Sequence, residues 1–392
     1  MNRYLIRFTP MESYFFGNER GLNYPGSMSQ YQNLYFVRGE NTPLQTTLLG
    51  ALRFMLLQKH GRKPDDFSKL KGKEEVEKDK QNGLDSVNEE ELIGKNSFNP
   101  ENKQDQSFGV IKKLSPVFLT DTIGVHYIPA PMDHNLADKE KNTDDFVEYA
   151  PFGHYKKMRT ADGEKLYTEE YDLKKGVVSG FMSLVDGGIH DDLFSGSLRV
   201  GINREEQKDG FFKKEYKCLK NGFSFAVYCD LDEAWENMPE TVFLGQGHST
   251  FCVQAERADD HAGIEQETLD FFRRRHTLVG REKKYTLLYC LGDSFMLPVT
   301  EEDKVKGIYD GLLFAVTDTR DFRSMQTTTL KDAARLIRSK SPVLYHLMKA
   351  GSVLIAENDE SAQAWLNRYK HANAETIGFN TFVGIESKEE TK

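Results

Sequence analysis

The chain has 392 residues, room for one large or two medium domains with a substantial core. Its hydrophobic fraction of 38% and charged fraction of 29% are those of a soluble globular protein, and a net charge of −9 excludes wholesale non-specific nucleic-acid binding while leaving room for a local basic groove. Cys218, Cys229, Cys252 and Cys290 form no CxxC pair, which argues against a zinc ribbon or disulfide scaffold and for reduced thiols in a cytoplasm.

The opening MNRYLIRFTP alternates Tyr4, Ile6 and Phe8 with Leu5, Arg7 and Thr9, the period of a strand rather than of a signal peptide. A glycine- and aromatic-rich connection follows, with Gly17, Gly21, Gly26, Tyr24, Tyr31, Tyr35 and Phe36. It reads either as an ordered loop or as a place where a ligand approaches backbone and rings. Thr42–Gly61 is the clearest helix. Thr42 is an N-cap, Pro43 sits at the first position, Gln45 has capping-box spacing and Gly61 closes the end. Leu44, Leu48, Leu52 and Met55 give it an apolar face. Thr46, Gly50 and Arg53 form a small-residue stripe ending in a guanidinium. That stripe is either a groove for close packing or a shelf for a sugar-phosphate backbone with Arg53 as anion partner.

Residues 62–105 and 138–175 are charged, apolar-poor insertions, flexible or loosely helical. Val110–Ala130 returns to strand composition, and Phe181–Val185 is a short buried segment. The tight cluster Gly188-Ile189-His190-Asp191-Asp192 reads as a solvated turn, since neighbours on an extended chain point to opposite faces. Ser197–Asp232 is the strongest β signal, with Asn221-Gly222 spaced as a hairpin turn. Val242–Ala255 is a strand broken by Gly245 and Gly247. Gln266–His276 is a short helix, Lys284–Leu291 and Leu312–Val316 are strands, and Leu330–Ser339 and Ser341–Lys349 read as helical. Ser361–His371 is a helix, and IGFNTFVGIE closes the chain as a glycine-bracketed strand. No stretch is long and apolar enough for a membrane helix.

No nucleophile elbow, HExxH, Walker loop or Rossmann fingerprint is present, so no catalytic, metal or cofactor residue is assigned. Two basic stretches stand out. One holds Arg273, Arg274, Arg275, Arg281, Lys283 and Lys284 against Glu282. The other, Ser195–Lys220, interleaves Arg199, Arg204, Lys213 and Lys214 with Phe211, Phe212 and Tyr216. Cations with interleaved aromatics suit single-stranded RNA; the plain alternative is a solvated hairpin over its own core.

The ordered segments FTPMESYFFGNERG, QTTLLGALR, SPVFL, IPAPMDHN, RVGINREEQKDGFFKKEY, LGQGHSTFCVQ, KAGSVLIAE and IGFNTFVG resemble one family. It is the third subunit of the type III-B (Cmr) CRISPR effector complex, RAMP-superfamily proteins of the Cas-five-like group. The resemblance implies an α+β fold of two ferredoxin-like, RRM-related domains, with boundaries expected at 1–195 and 196–392. It implies a non-catalytic, cytoplasmic subunit of an antiviral ribonucleoprotein. That subunit grips the 5′ repeat-derived tag of the CRISPR guide RNA and docks the large polymerase-like subunit to the backbone subunit. The alternative within the superfamily is a metal-independent endoribonuclease processing CRISPR precursor RNA, for which His60 or His126 would be the histidine. From the resemblance together with the small-residue stripe and the basic stretches, the candidate RNA-binding positions begin with Gly17, Arg20, Gly21, Gly26, Thr46, Thr47, Gly50 and Arg53. In the centre they are Arg199, Gly201, Asn203, Arg204, Lys213, Lys214, Tyr216, Gly245, Gly247, His248 and Arg274. Near the C-terminus they are Gly351, Ser352, Gly378 and Asn380.

Overall fold

The computed structural model describes residues 1–21, 35–61, 72–82, 87–102, 104–133, 155–156, 167–168, 180–203, 210–245, 248–275, 286–301, 304–329 and 336–386. These form a mixed α and β structure with several antiparallel sheets. The chain divides into two compact units, each assembled from separate stretches. The first takes Met1–Val117, Phe194–Asp259 and Asp321–Tyr345. The second takes Phe118–Leu193, Asp260–Arg320 and His346–Lys392.

In the first unit the opening strand, Asn2–Pro10, is central. It pairs antiparallel with Phe223–Leu231 on one side and Ser249–Arg257 on the other. Ile111–Leu114 and Thr241–Leu244 extend the sheet outward. Its even-numbered residues form the core face: Ile6 and Phe8 are fully buried, as are Phe225 and Phe251. Helix α1, Gln45–Lys59, packs on this sheet through Thr241–Leu244. It buries Leu48, Leu49, Leu52, Met55, Leu56 and Leu57, each contributing roughly 1.5–3 kcal/mol.

The start of α1 differs from the capping-box expectation. Leu44, not Thr42, is the N-cap, and the Leu44 side chain makes no capping hydrogen bond. Gln45 is buried and its Nε2 donates to the Ser115 carbonyl at 2.7 Å. A buried amide costs more to leave unbonded than an exposed helix end does, so the tertiary bond wins. Gly61 takes the expected left-handed conformation at φ +80°.

The composition of residues 62–105 predicts an insertion with little core of its own. Their second half corrects that. After helix α2, Lys73–Gln81, helix α3, Glu89–Ile93, starts on an Asn88 cap and packs on α1. Leu92, Ile93 and Phe98 are buried. Deleting the whole segment would therefore uncover part of α1. The insertion at 138–175 lies outside the described residues except for two short paired pieces.

A second sheet in this unit runs Phe194–Asn203, Gly210–Leu219, Tyr35–Glu40, Phe16–Gly21. Asn221-Gly222 does not close a hairpin. Gly210–Leu219 and Phe223–Leu231 belong to different sheets. Gly222 alone of the pair has positive φ, at +89°, whereas the hairpin turn expected of Asn-Gly needs it at both positions. The turn instead passes the chain from one sheet to the next.

In the second unit, a sheet orders Leu312–Val316, Val353–Ala356, Thr286–Cys290 and Phe382–Glu386, all antiparallel. Helix α4 is Ile264–Arg275. Helix α5, Asp359–Arg368, is capped by the Asn358 side chain and buries Trp365 against Leu288, Cys290, Leu354 and Tyr369. Helix α6, Ala372–Thr376, leads into the closing strand. The expected helices at Leu330–Ser339 and Ser341–Lys349 are corrected to strands, Leu336–Lys340 and Tyr345–Met348. In the first unit, the β-rich run Met325–Thr329 pairs with Leu336–Lys340, and that pairing overrides the helical spacing.

Candidate nucleic-acid interface

The strands Phe194–Asn203 and Gly210–Leu219 pair along their full length. The register sets Arg199 opposite Lys214 and Ser197 opposite Tyr216 on one face. It sets Val200 opposite Lys213 and Leu198 opposite Glu215 on the other. On the first face the Arg199 guanidinium lies 4.2 Å from the centre of the Tyr216 ring. Tyr216 meets Phe15 at 5.4 Å between ring centres, and the Lys214 ammonium sits 5.3 Å from the centre of the Phe15 ring. The result is a ladder: cation, ring, ring, cation. Arg199 Nη2 also donates to Ser13 Oγ at 2.5 Å, which fixes the plane of the guanidinium. Lys217 is tied to Glu215 at 2.7 Å, with Arg38 on the other carboxylate oxygen at 3.8 Å. Arg199 and Lys213 are exposed.

The 11–16 segment holds this ladder in place. Tyr14 exchanges backbone hydrogen bonds with Lys217, both at 2.8 Å. The Tyr14 and Phe16 rings turn into the core and meet Phe225 and Phe251. Phe15, between them, points the other way, toward Tyr216. Gly245 closes the turn after Thr241–Leu244 at φ +74°, and a Cβ there would lie 2.4 Å from the Phe15 carbonyl oxygen. His248 follows, exposed, with the unusual φ of +50° and its N–H on the Gly245 carbonyl at 3.2 Å. Ser249 Oγ donates to the Ser13 carbonyl at 3.4 Å. Five residues singled out from sequence, Arg199, Lys214, Tyr216, Gly245 and His248, are thus gathered around one short segment.

On α1 the small-residue stripe is open. Gly50 is exposed, and a Cβ there would touch nothing among the described residues. Thr46 and Thr47 are half-buried. Arg53 turns inward. Its guanidinium lies 5.6 Å from the centre of the Phe108 ring, and Nε and Nη2 are buried without a hydrogen-bond partner among the described residues. Burial lowers its pKa to about 10, so it stays charged at neutral pH. An incompletely bonded, buried cation costs stability. Arg53→Met should therefore raise the unfolding free energy of the isolated chain by about 1–2 kcal/mol in urea titration. The gain should be constant across neutral pH, since Arg53 does not lose its proton until about pH 10.

The remaining sequence-selected positions fall elsewhere. Gly17 pairs with Gly39 at the sheet edge, and Gly21 with Val37. Gly201 lies in the paired hairpin strand opposite Phe212. The structure gives both C-terminal motifs packing roles. Gly351, at φ +94°, presses on the Ala130 carbonyl, and Ser352 is buried with its hydroxyl on the Lys349 carbonyl at 2.6 Å. Gly378 ends α6 at φ +87°. The buried Asn380 side chain accepts from the Phe295 N–H and donates to the Phe295 and Tyr369 carbonyls. Arg274 is exposed on α4 beside a cleft with His261, Glu267 and Asp270. Gly26, Arg204, Gly247 and the side chains of Arg20 and Asn203 lie outside the described residues.

A cluster that no sequence spacing announces is His126, His261 and Glu267. His126 Nδ1 is 2.7 Å from Glu267 Oε2, and His261 Nε2 is 3.9 Å from the same oxygen. His261 Nδ1 accepts the Gly263 N–H at 3.0 Å, which leaves the proton of a neutral ring on Nε2. That tautomer cannot give Nε2 to a metal without breaking the bond. The cluster therefore reads as a hydrogen-bonded histidine–carboxylate pair that ties Glu267 of α4 to the strand His126–Pro129. The other candidate histidine, His60, is 2.9 Å from Glu233, which Lys59 also reaches at 2.8 Å.

Sequence reasoning missed Ser13 and Phe15, because SYFFG reads as loop entry, and it missed Phe243, which reads as one apolar residue of a strand. Phe243 is 61% exposed, an unusual state for a phenylalanine.

Comparison with known proteins adds the following. The profile of the family described as CRISPR-associated protein (Cas_Cmr3) matches residues 6–386. No curated protein matches the chain. Among solved structures, the chain is similar at 12% identity to a chain of a cryo-EM structure of type III-B Cmr-beta bound to cognate target RNA and AMPPnP. That match covers 97% of this chain and 95% of the other, with a TM-score of 0.45. A chain of Cmr-beta bound to cognate target RNA matches at 12% identity over 97% and 96%, with a TM-score of 0.46. A chain of a Csm3-Csm4 subcomplex of the type III-A CRISPR-Cas interference complex matches at 10% identity over 91% and 92%, with a TM-score of 0.32. With the family profile spanning nearly its whole length, the chain belongs to the Cas_Cmr3 family of CRISPR-associated proteins.

Proposed function

We propose that this chain is a non-catalytic RNA-gripping subunit of a type III-B effector complex. It holds the 5′ repeat-derived tag of a CRISPR guide RNA and docks the large polymerase-like subunit to the backbone subunit, in the cytoplasm. The observation that carries the reading is the Arg199–Tyr216–Phe15–Lys214 ladder on the face of a long hairpin. Stacked cations offer phosphates fixed donors, and a guanidinium plane offers bases a stacking surface. Family membership supports the assignment to a CRISPR complex. The finer fold belongs to the same reading: two ferredoxin-like domains, one built on the opening strand and α1.

The non-catalytic part concerns His60 and His126, each paired with a carboxylate. It predicts that the purified chain, incubated with repeat RNA without divalent metal, leaves the RNA intact. Defined cleavage lost in His126→Ala would overturn it. The RNA-gripping part predicts photo-crosslinks from the guide tag, in the assembled complex, to peptides containing residues 13–16 or 197–216. A complex that crosslinks its tag only through other subunits would contradict it.

A further inference from the structure

The sheet around the opening strand is two-faced. Its core face carries Ile6, Phe8, Val242, Phe251 and Val253, all buried. Near the Pro10 end the opposite face is open. There the register lines up Thr9, Cys252 and Thr241 across three strands, with Phe243 beside Thr250 in the next row. Thr9, Thr250 and Cys252 are half-buried, and Thr241 is exposed. Thr9 Oγ1 lies 2.7 Å from Ser224 Oγ, so hydroxyls continue onto the neighbouring strand. Phe243 stands out of this polar row, 61% exposed, with the exposed His248 ring 6.4 Å away and edge-on at 72°.

We infer that Phe243, flanked by His248 and Thr250, is a stacking platform for one unstacked base of the same single-stranded RNA whose backbone the Arg199 ladder holds. The inference rests on that reading of the ladder. An exposed aromatic among hydroxyls suits a nucleobase: the ring takes the base face, and short polar side chains meet its edges. A protein partner would want a broader apolar core under Phe243. The platform is continuous with the ladder. Thr250, opposite Phe243, donates its N–H to Glu12 Oε1 at 3.1 Å, and Ser13, the next residue, holds Arg199. The turn after Phe243 presses through Gly245 on Phe15, the ring inside the ladder.

The test is the affinity of the purified chain for a fluorescein-labelled single-stranded tag RNA across a salt series, with 5-iodouridine crosslinking as a second readout. Phe243→Ala should weaken binding about 5- to 150-fold, the range for losing one stacked base, with the salt slope unchanged. Phe243→Tyr should bind like the parent, and crosslinks to the Thr241–Leu244 peptide should vanish only in Phe243→Ala. Parental affinity in Phe243→Ala, or loss of a protein subunit from the purified complex with RNA retention intact, would overturn the platform. If Phe243→Ala is silent while Lys213→Ala with Lys214→Ala lowers the salt slope, the platform fails and the RNA reading stands. If no variant changes binding, both fail.

Discussion

Asp293→Ala is expected to destabilise the second unit by about 3–5 kcal/mol in denaturant unfolding. Asp293 and Arg320 are 9% and 7% exposed, and Arg320 Nη1 donates to Asp293 Oδ2 at 2.8 Å. The other carboxylate oxygen accepts the Ala350 N–H at 2.9 Å, just before the Gly351-Ser352 turn. The Asp293 carbonyl accepts the Asn380 N–H at 3.1 Å. Through its carboxylate and its carbonyl, one residue therefore joins three distant stretches of chain. Removing it takes the charged partner at 2.8 Å away from a buried guanidinium, which costs more than the pair itself contributes. The double replacement Asp293→Leu with Arg320→Met should recover much of the loss, since it removes both charges. A double variant as unstable as the single one would show that the backbone bond to Ala350, and not the ion pair, is what matters.

Gly245→Ala is expected to lower both stability and RNA affinity. Two penalties add. The backbone at φ +74° disfavours any Cβ, at a cost of about 1–2 kcal/mol, and that Cβ would stand 2.4 Å from the Phe15 carbonyl oxygen. Backbone cannot move aside as a flexible side chain can, so the 11–16 segment must shift. Phe15 would then leave Tyr216 and Lys214, and Ser13 would leave Arg199. The account predicts roughly tenfold weaker tag binding with a smaller salt dependence, because misplaced cations neutralise fewer phosphates. Parental binding in a destabilised but folded Gly245→Ala protein would show that the ladder does not depend on this turn.

Much of the architecture was legible because local patterns and tertiary packing agree. The alternation Tyr4, Ile6, Phe8 gives a strand, and the Leu and Met spacing of α1 gives a buried helical face. The failures share a physical origin: a pairing or packing partner outside the local window overrides the local pattern. Asn221-Gly222 has the composition of a hairpin turn, yet its flanking strands pair with Phe194–Asn203 and Asn2–Pro10 instead of with each other. Gln45 has capping spacing, yet bonds to Ser115. The 330–349 stretch has helical spacing, yet Met325–Thr329 claims Leu336–Lys340 as a strand.

The site was legible in its charges and not in its scaffold. Arg199, Lys214 and Tyr216 announce themselves as cations interleaved with an aromatic. That Phe15 lies between Lys214 and Tyr216 depends on a segment nearly two hundred residues away in sequence, which no local pattern records. Glycines were legible as special positions but not by role. Gly245 supports the ladder, whereas Gly351 packs on the Ala130 carbonyl, and both look alike in the sequence. The stripe on α1 resolves into two parts. Gly50 is open surface, while Arg53 turns toward Phe108 and Gly94.

The most direct test of the central claim, that the long hairpin grips RNA through its cations, is the salt dependence of tag-RNA affinity. The parent chain is compared with Arg199→Ala and Lys214→Ala combined. Each phosphate contact on a single strand contributes about 0.7 to the slope of log affinity against log salt, so the double variant should lose roughly 1.4 from that slope. A double variant whose slope matches the parent would contradict the account.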